Sequence, residues 1–156
     1  MEKNIYCALF FLFPAIFLHA QPVQLNNYKQ LMDALTGGYR VSAVIHYGDC
    51  KLVIDGQEEE APDAIGGIEL GAFEHFARGC VRNEKAYVSA SENVLIGHPR
   101  YGYVFNYAKI RVYEDNTVEI VVRYLDPTTY EVKMDETFHS KINTGGDEGA
   151  VYFFRQ

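Results

Sequence analysis

Positive charge is scarce in this 156-residue chain. Its 14 lysines and arginines stand against 21 aspartates and glutamates, a formal net charge of −7. A phosphate backbone needs a basic footprint, so nucleic acid is not an expected partner. Long apolar runs are also missing. The run from Ile5 to Leu18, interrupted by Pro14, falls short of the ~20 residues a bilayer requires, so no membrane span is expected. There is no Asn-x-Ser/Thr sequon, no His-Glu-x-x-His spacing, no Gly-x-Ser-x-Gly elbow, and no Lys-Ser/Thr behind Gly145-Gly146. Those gaps remove N-glycosylation, a helical zinc site, the α/β-hydrolase nucleophile and a phosphate loop. No catalytic residue, metal or cofactor is predicted, and the chain does not read as an enzyme.

Cysteine is sparse, and its placement is informative. Lys3 precedes the short apolar run, and the small residue Ala20 follows it. That order is the pattern of a cleaved secretory signal, so residues 1–20 are expected to be removed and residues 21–156 to form one domain. The expected location is secreted or extracellular, or periplasmic in a bacterium without further export. Cys7 leaves with the leader, and Cys50 and Cys80 remain. An even count in an exported chain predicts a Cys50–Cys80 disulfide. Its loop of about 30 residues is worth roughly 3–4 kcal/mol in the chain-entropy model.

Helical periodicity occurs at the start of the domain. Leu25, Tyr28, Leu31, Met32 and Leu35 form one apolar stripe, with Asn26 or Asn27 to cap it and Gly37-Gly38 to stop it. From Val41 the period changes to two. Strands are predicted over 41–47, 50–54, 68–76, 85–90, 94–96, 103–113, 117–125, 130–139 and 150–154. Gln57 to Asp63 reads as an acidic loop and Ser91-Glu92-Asn93 as a turn. Between the two long strands a three-residue loop, Glu114-Asp115-Asn116, sets Val112 opposite Val118, Ile110 opposite Ile120 and Ala108 opposite Val122. That loop needs a left-handed residue, which Asn116 tolerates.

Hairpin spacing without helices between strands argues against a parallel sheet. The predicted class is mainly β (α+β): an antiparallel meander closing into a barrel-like sheet with one N-terminal helix. A β-sandwich is the alternative. Closure is one way to remove exposed strand edges.

The run Tyr28-Lys29-Gln30-Leu31-Met32-Asp33-Ala34-Leu35-Thr36-Gly37-Gly38 leads into Val41-Ser42-Ala43-Val44-Ile45-His46-Tyr47-Gly48-Asp49-Cys50. Farther on come Val112 to Ile120, Arg123-Tyr124-Leu125-Asp126-Pro127 and Met134-Asp135-Glu136-Thr137-Phe138. Together these resemble the VirK family across nearly all of residues 21–156. The resemblance implies export and an association with bacterial virulence or host contact. It implies no chemistry, and no catalytic residue is carried over.

The first functional expectation is therefore a secreted binding or accessory protein, whose partner is a protein or a small apolar ligand. Its candidate pocket is Tyr103, Tyr107, Tyr124 and Glu136. Glu136 alternates with Val132, Met134 and Phe138, and the expected register sets it near Val118. An unpaired carboxylate facing inward there would have a raised pKa. The second expectation is an extracellular structural protein whose Glu58-Glu59-Glu60 run meets cations. The third is an unrecognised hydrolase using Glu136 or one of His46, His75, His98 and His139.

Overall fold

The structure, a computed structural model, describes residues 21–146 and 148–156. The expected leader over residues 1–20 lies outside the described residues. Strand β1 (Val23–Leu25) leads into helix α1 (Tyr28–Thr36). Asn27 caps the helix, its Oδ1 accepting from the Gln30 N–H at 2.9 Å. A second donor of the first turn, the Tyr28 N–H, is taken by Oδ1 of distant Asn116 at 2.7 Å. The helix stops where Gly38 takes a φ of +78° and the Tyr39 N–H returns to the Ala34 carbonyl. Leu31, Ala34 and Leu35 are its buried face.

Ten further strands follow: β2 (Val41–His46), β3 (Lys51–Ile54), β4 (Gln57–Glu59), β5 (Ile65–Glu69), β6 (Phe73–Phe76), β7 (Tyr87–His98), β8 (Gly102–Tyr113), β9 (Thr117–Leu125), β10 (Val132–Lys141) and β11 (Val151–Arg155). They form two antiparallel sheets. The smaller has the order β1-β11-β2-β5, and the larger β4-β3-β10-β9-β8-β7-β6. Neither closes on itself, so the barrel expectation is corrected to an open, sandwich-like pair of sheets. The chain supplies a second layer instead: the small sheet and α1 bury the apolar face that closure would otherwise have enclosed.

Three local expectations also change. The segment 68–76 is two strands in different sheets, because the chain crosses between layers after Leu70. Ser91-Glu92-Asn93 is no turn but the middle of β7, which runs unbroken for 12 residues. Part of the acidic loop is the edge strand β4. The β8–β9 register matches expectation, with Val112 facing Val118, Ile110 facing Ile120 and Ala108 facing Val122. Asn116 is left-handed at φ +68°.

Coverage of the large sheet is uneven. On its inner face the cross-strand row Ala90–Ile110–Ile120–Phe138 is buried, as are Val88, Val112 and Val118 beyond it. Val41, Ala43, Ile45, Leu31 and Phe153 cover these positions in one continuous core. The next row, Glu92–Ala108–Val122–Glu136, is half-buried to exposed, and so is Val94–Asn106–Tyr124–Met134 after it. The large sheet thus projects beyond the small one and leaves part of its inner face open.

Candidate functional site

The projecting part of the large sheet forms the floor of a cleft of about 560 Å³. Asn106, Val122, Tyr124, Met134, Glu136 and Phe138 make the floor; His98, Arg100 and Tyr101 of the β7–β8 hairpin make one wall; Tyr47, Pro62 and Ala64 make the other. The volume lies within the usual range for small-molecule sites, ~300–1,000 Å³.

The hairpin wall is built by the turn itself. His98 Nδ1 accepts from the backbone N–H groups of Arg100 at 3.2 Å and Tyr101 at 3.3 Å. Nδ1 is thereby the acceptor nitrogen, and Nε2 carries the proton of the neutral ring. The His98 ring stacks on Tyr101 at 4.8 Å and tilts against Tyr124 at 5.0 Å. Tyr101 and Tyr124 meet edge-on at 6.1 Å. Such edge and offset contacts are the favourable aromatic geometries. On the opposite wall the Tyr47 ring rests 4.7 Å from Phe138. Gly66 makes room for it: a Cβ there would lie 2.7 Å from Tyr47 Cε2.

Two acceptors on the floor of the cleft stand without an ion pair or hydrogen-bond partner among the described residues. Among the described residues no ion pair reaches Glu136, and burial raises its carboxyl pKa above the ordinary value. Asn106 Oδ1 is buried without a hydrogen-bond partner. Tyr47's hydroxyl is likewise pushed up, first by burial and then by Cys50 and Tyr124. Arg100 stands at the rim, its guanidinium 6.0 Å from the Tyr101 ring centre. The cleft therefore offers aromatic faces and two acceptor groups to an occupant.

Of the expected pocket residues, Tyr124 and Glu136 do meet here, whereas Tyr103 and Tyr107 do not. Odd-numbered residues of β8 face outward, and Tyr103 is 74% exposed. Glu136 lies opposite Val122 rather than near Val118, and Ser140 takes the Val118 position. The β9–β10 connection is longer than expected, and a register shift lies between Val132 and Met134. His98, Tyr101, Asn106 and Tyr47 were not foreseen. The β8–β9 register already carried a signal for Asn106: with Ala108 and Ile110 inward, parity places Asn106 inward and Tyr107 outward.

The expected disulfide is not made, and both cysteines are free. Cys50 immediately precedes β3 and Cys80 follows β6, two strands that lie five inter-strand steps apart, about 24 Å along the sheet at the usual strand spacing. A disulfide needs Cα atoms within about 7 Å. Cys50 is buried, with Sγ 3.4 Å from the His46 carbonyl, and burial raises its thiol pKa. Cys80 is exposed.

The remaining histidines stand apart from the cleft. His46 packs 5.1 Å from Tyr152, while His75 and His139 are exposed. Among the described residues no three His, Cys, Asp or Glu side chains converge on a metal-sized site, and no helix is long and apolar enough to cross a membrane. A second cavity of about 420 Å³ lies near the β8–β9 turn. Its cations are already satisfied: Lys85 pairs with Asp115, and Arg111 with Glu119, each at 2.5 Å.

Fold and site define a small antiparallel two-sheet protein with an aromatic cleft where one sheet outreaches the other. The family model described as VirK protein matches residues 24–130, well over half of the chain. This chain belongs to the VirK family. A crystal structure of a VirK family protein from Legionella pneumophila superposes with a TM-score of 0.64 at 19% identity, covering 85% of this chain and 98% of that one. At that identity the likeness concerns the fold. No curated protein matches the chain. His98, Tyr101, Asn106 and Tyr124 lie within the matched segment; Met134 and Glu136 lie beyond it.

Proposed function

We propose that this VirK protein is exported behind a cleaved leader and acts as a binding protein, not an enzyme. Its cleft takes a small, largely apolar ligand that donates a hydrogen bond toward Glu136 or Asn106. One observation carries the reading: a cleft of about 560 Å³ combines three mutually packed rings, His98, Tyr101 and Tyr124, with a buried acceptor, Asn106 Oδ1, that the protein leaves unpartnered. Apolar walls with a few convergent polar groups are the usual composition of a ligand site. A buried acceptor without a partner costs about 1–3 kcal/mol, which a ligand donor would recover. Export is supported by the order of Lys3, the short apolar run and Ala20.

Native mass spectrometry of the protein isolated from its own cells tests both parts. The expected mass begins at Gln21, with an added mass that is released on denaturation. Tyr124→Ala is expected to lose the added mass while keeping the fold. A bare wild-type mass in repeated isolations would overturn the ligand reading, and a chain still beginning at Met1 would overturn export.

A further inference from the structure

The edges of the two sheets are not equally defended. A bare strand edge invites pairing unless it is short, charged or covered. Strands β1 and β4 have three residues each, and β4 carries Glu58 and Glu59. Edge strand β5 is broken by two glycines and ends at Glu69. Edge strand β6 has four residues, two of them Glu74 and His75. Strand β7 differs. Strand β6 pairs only with Tyr87–Ala90, and among the described residues nothing pairs with the same side of Ser91–His98. That free stretch carries Val94, Leu95 and Ile96 at its centre, with Val94 47% and Leu95 54% exposed. Glu92 is its single carboxylate.

We propose that a second copy of this chain occupies this edge, joining the two large sheets through antiparallel β7–β7 pairing about a two-fold axis. The sequence of the edge favours self-pairing. A two-fold axis perpendicular to a sheet keeps each side chain on its own face, so only residues of equal parity meet. With Leu95 on the axis, Leu95 meets its counterpart on the outer face. On the inner face Val94 meets Ile96 and Glu92 meets His98, each pair twice. Apolar cross-strand pairs stabilise sheets, and the paired Val94, Leu95 and Ile96 supply them at the centre of the edge. An axis on Val94 would set Glu92 against Ile96. An axis on Ile96 would shorten the pairing to Val94–His98 and set Val94 against His98. The Leu95 register uses the whole run from Glu92 to His98 and leaves both clefts opening on the same side of the joined sheet.

Cysteine scanning in a Cys80→Ser background reads the register directly, since Cys50 is buried. Under mild oxidation Leu95→Cys is expected to form a covalent dimer, because opposed residues bring their Cβ atoms to about 5 Å. Asn93→Cys, on the same face but opposite Gly97 of the other copy, is expected to form no covalent dimer. Sedimentation of the unmodified protein is expected to show a reversible dimer. Leu95→Lys is expected to weaken that dimer by about tenfold or more, with a melting curve unchanged at concentrations where the parent is monomeric, since Leu95 is exposed in one chain. The proposal is overturned if the protein sediments as a monomer up to its solubility and Leu95→Cys fails to cross-link. It is overturned equally if Asn93→Cys cross-links as well as Leu95→Cys, or if a dimer forms that Leu95→Lys leaves intact.

Discussion

Replacing Asn116 with alanine removes two supports at once. The residue holds φ +68° at the end of the β8–β9 loop, and its Oδ1 accepts the Tyr28 N–H of helix α1 at 2.7 Å. A Cβ-bearing residue in the left-handed region costs about 1–2 kcal/mol, a cost asparagine eases through local hydrogen bonding and alanine does not. Loss of the acceptor leaves a helix N–H of the first turn unpaired, for about 1–3 kcal/mol. The sum for Asn116→Ala is about 2–5 kcal/mol, against a total stability of about 5–15 kcal/mol for a domain of this kind. Asn116→Gly keeps the backbone relaxed and loses only the acceptor, about 1–3 kcal/mol. Asn116→Asp keeps an acceptor and a left-handed tolerance, and is expected within about 0.5 kcal/mol of the parent. Urea unfolding measures the series. With a slope of about 2 kcal/mol per molar, Asn116→Ala lowers the midpoint by about 1–2.5 M at unchanged slope. An alanine variant as stable as the parent would refute the reasoning. Equal losses for glycine and alanine would refute its conformational half.

The thiols give an independent check. Cys80 is expected to label at once with a thiol reagent at neutral pH, and Cys50 only in denaturant, because one is exposed and the other buried with a raised pKa; two unreactive sulfurs in the unfolded protein would contradict the placement. Glu136 gives a pH signature. Its folded-state pKa is raised by burial, so its favourable contribution is full below the ordinary carboxylate range and is lost as pH rises through the raised value. Glu136→Gln escapes that loss and is expected to melt increasingly above the parent from acid toward neutral pH; parallel melting curves across that window would show Glu136 to be solvated.

Much of this arrangement can be read from the residues alone, and the failures have physical causes. The helix, a cap at Asn26 or Asn27 and a glycine stop are legible because local donors and acceptors fix them, and the structure selects Asn27. The β8–β9 hairpin was legible because a one-residue slip would turn Ile110 and Ile120 outward. Strand β7 was misread at Ser91-Glu92-Asn93 because polar residues within a strand signal a turn when both faces are assumed covered. Here one edge and part of one face are open, so these residues stay solvated in extended chain. The cysteine pairing failed for another reason. Counting thiols says nothing of how many strands lie between them, and five inter-strand steps are invisible in a spacing of 30 residues. Of the expected pocket residues, Tyr124 and Glu136 face inward, whereas Tyr103 and Tyr107 share the odd parity of β8 that faces away.

The mismatch in reach between the two layers divides the molecule's labour. Where helix and small sheet overlie the large one, every inner side chain is wedged among others, and a change of shape there is felt throughout. Past that overhang, the strands are held by their ladders and by rings that can tilt. Amide protons in that outer reach should exchange sooner than those under the lid, which gives the mouth freedom to mould itself around a guest while its anchorage stays still.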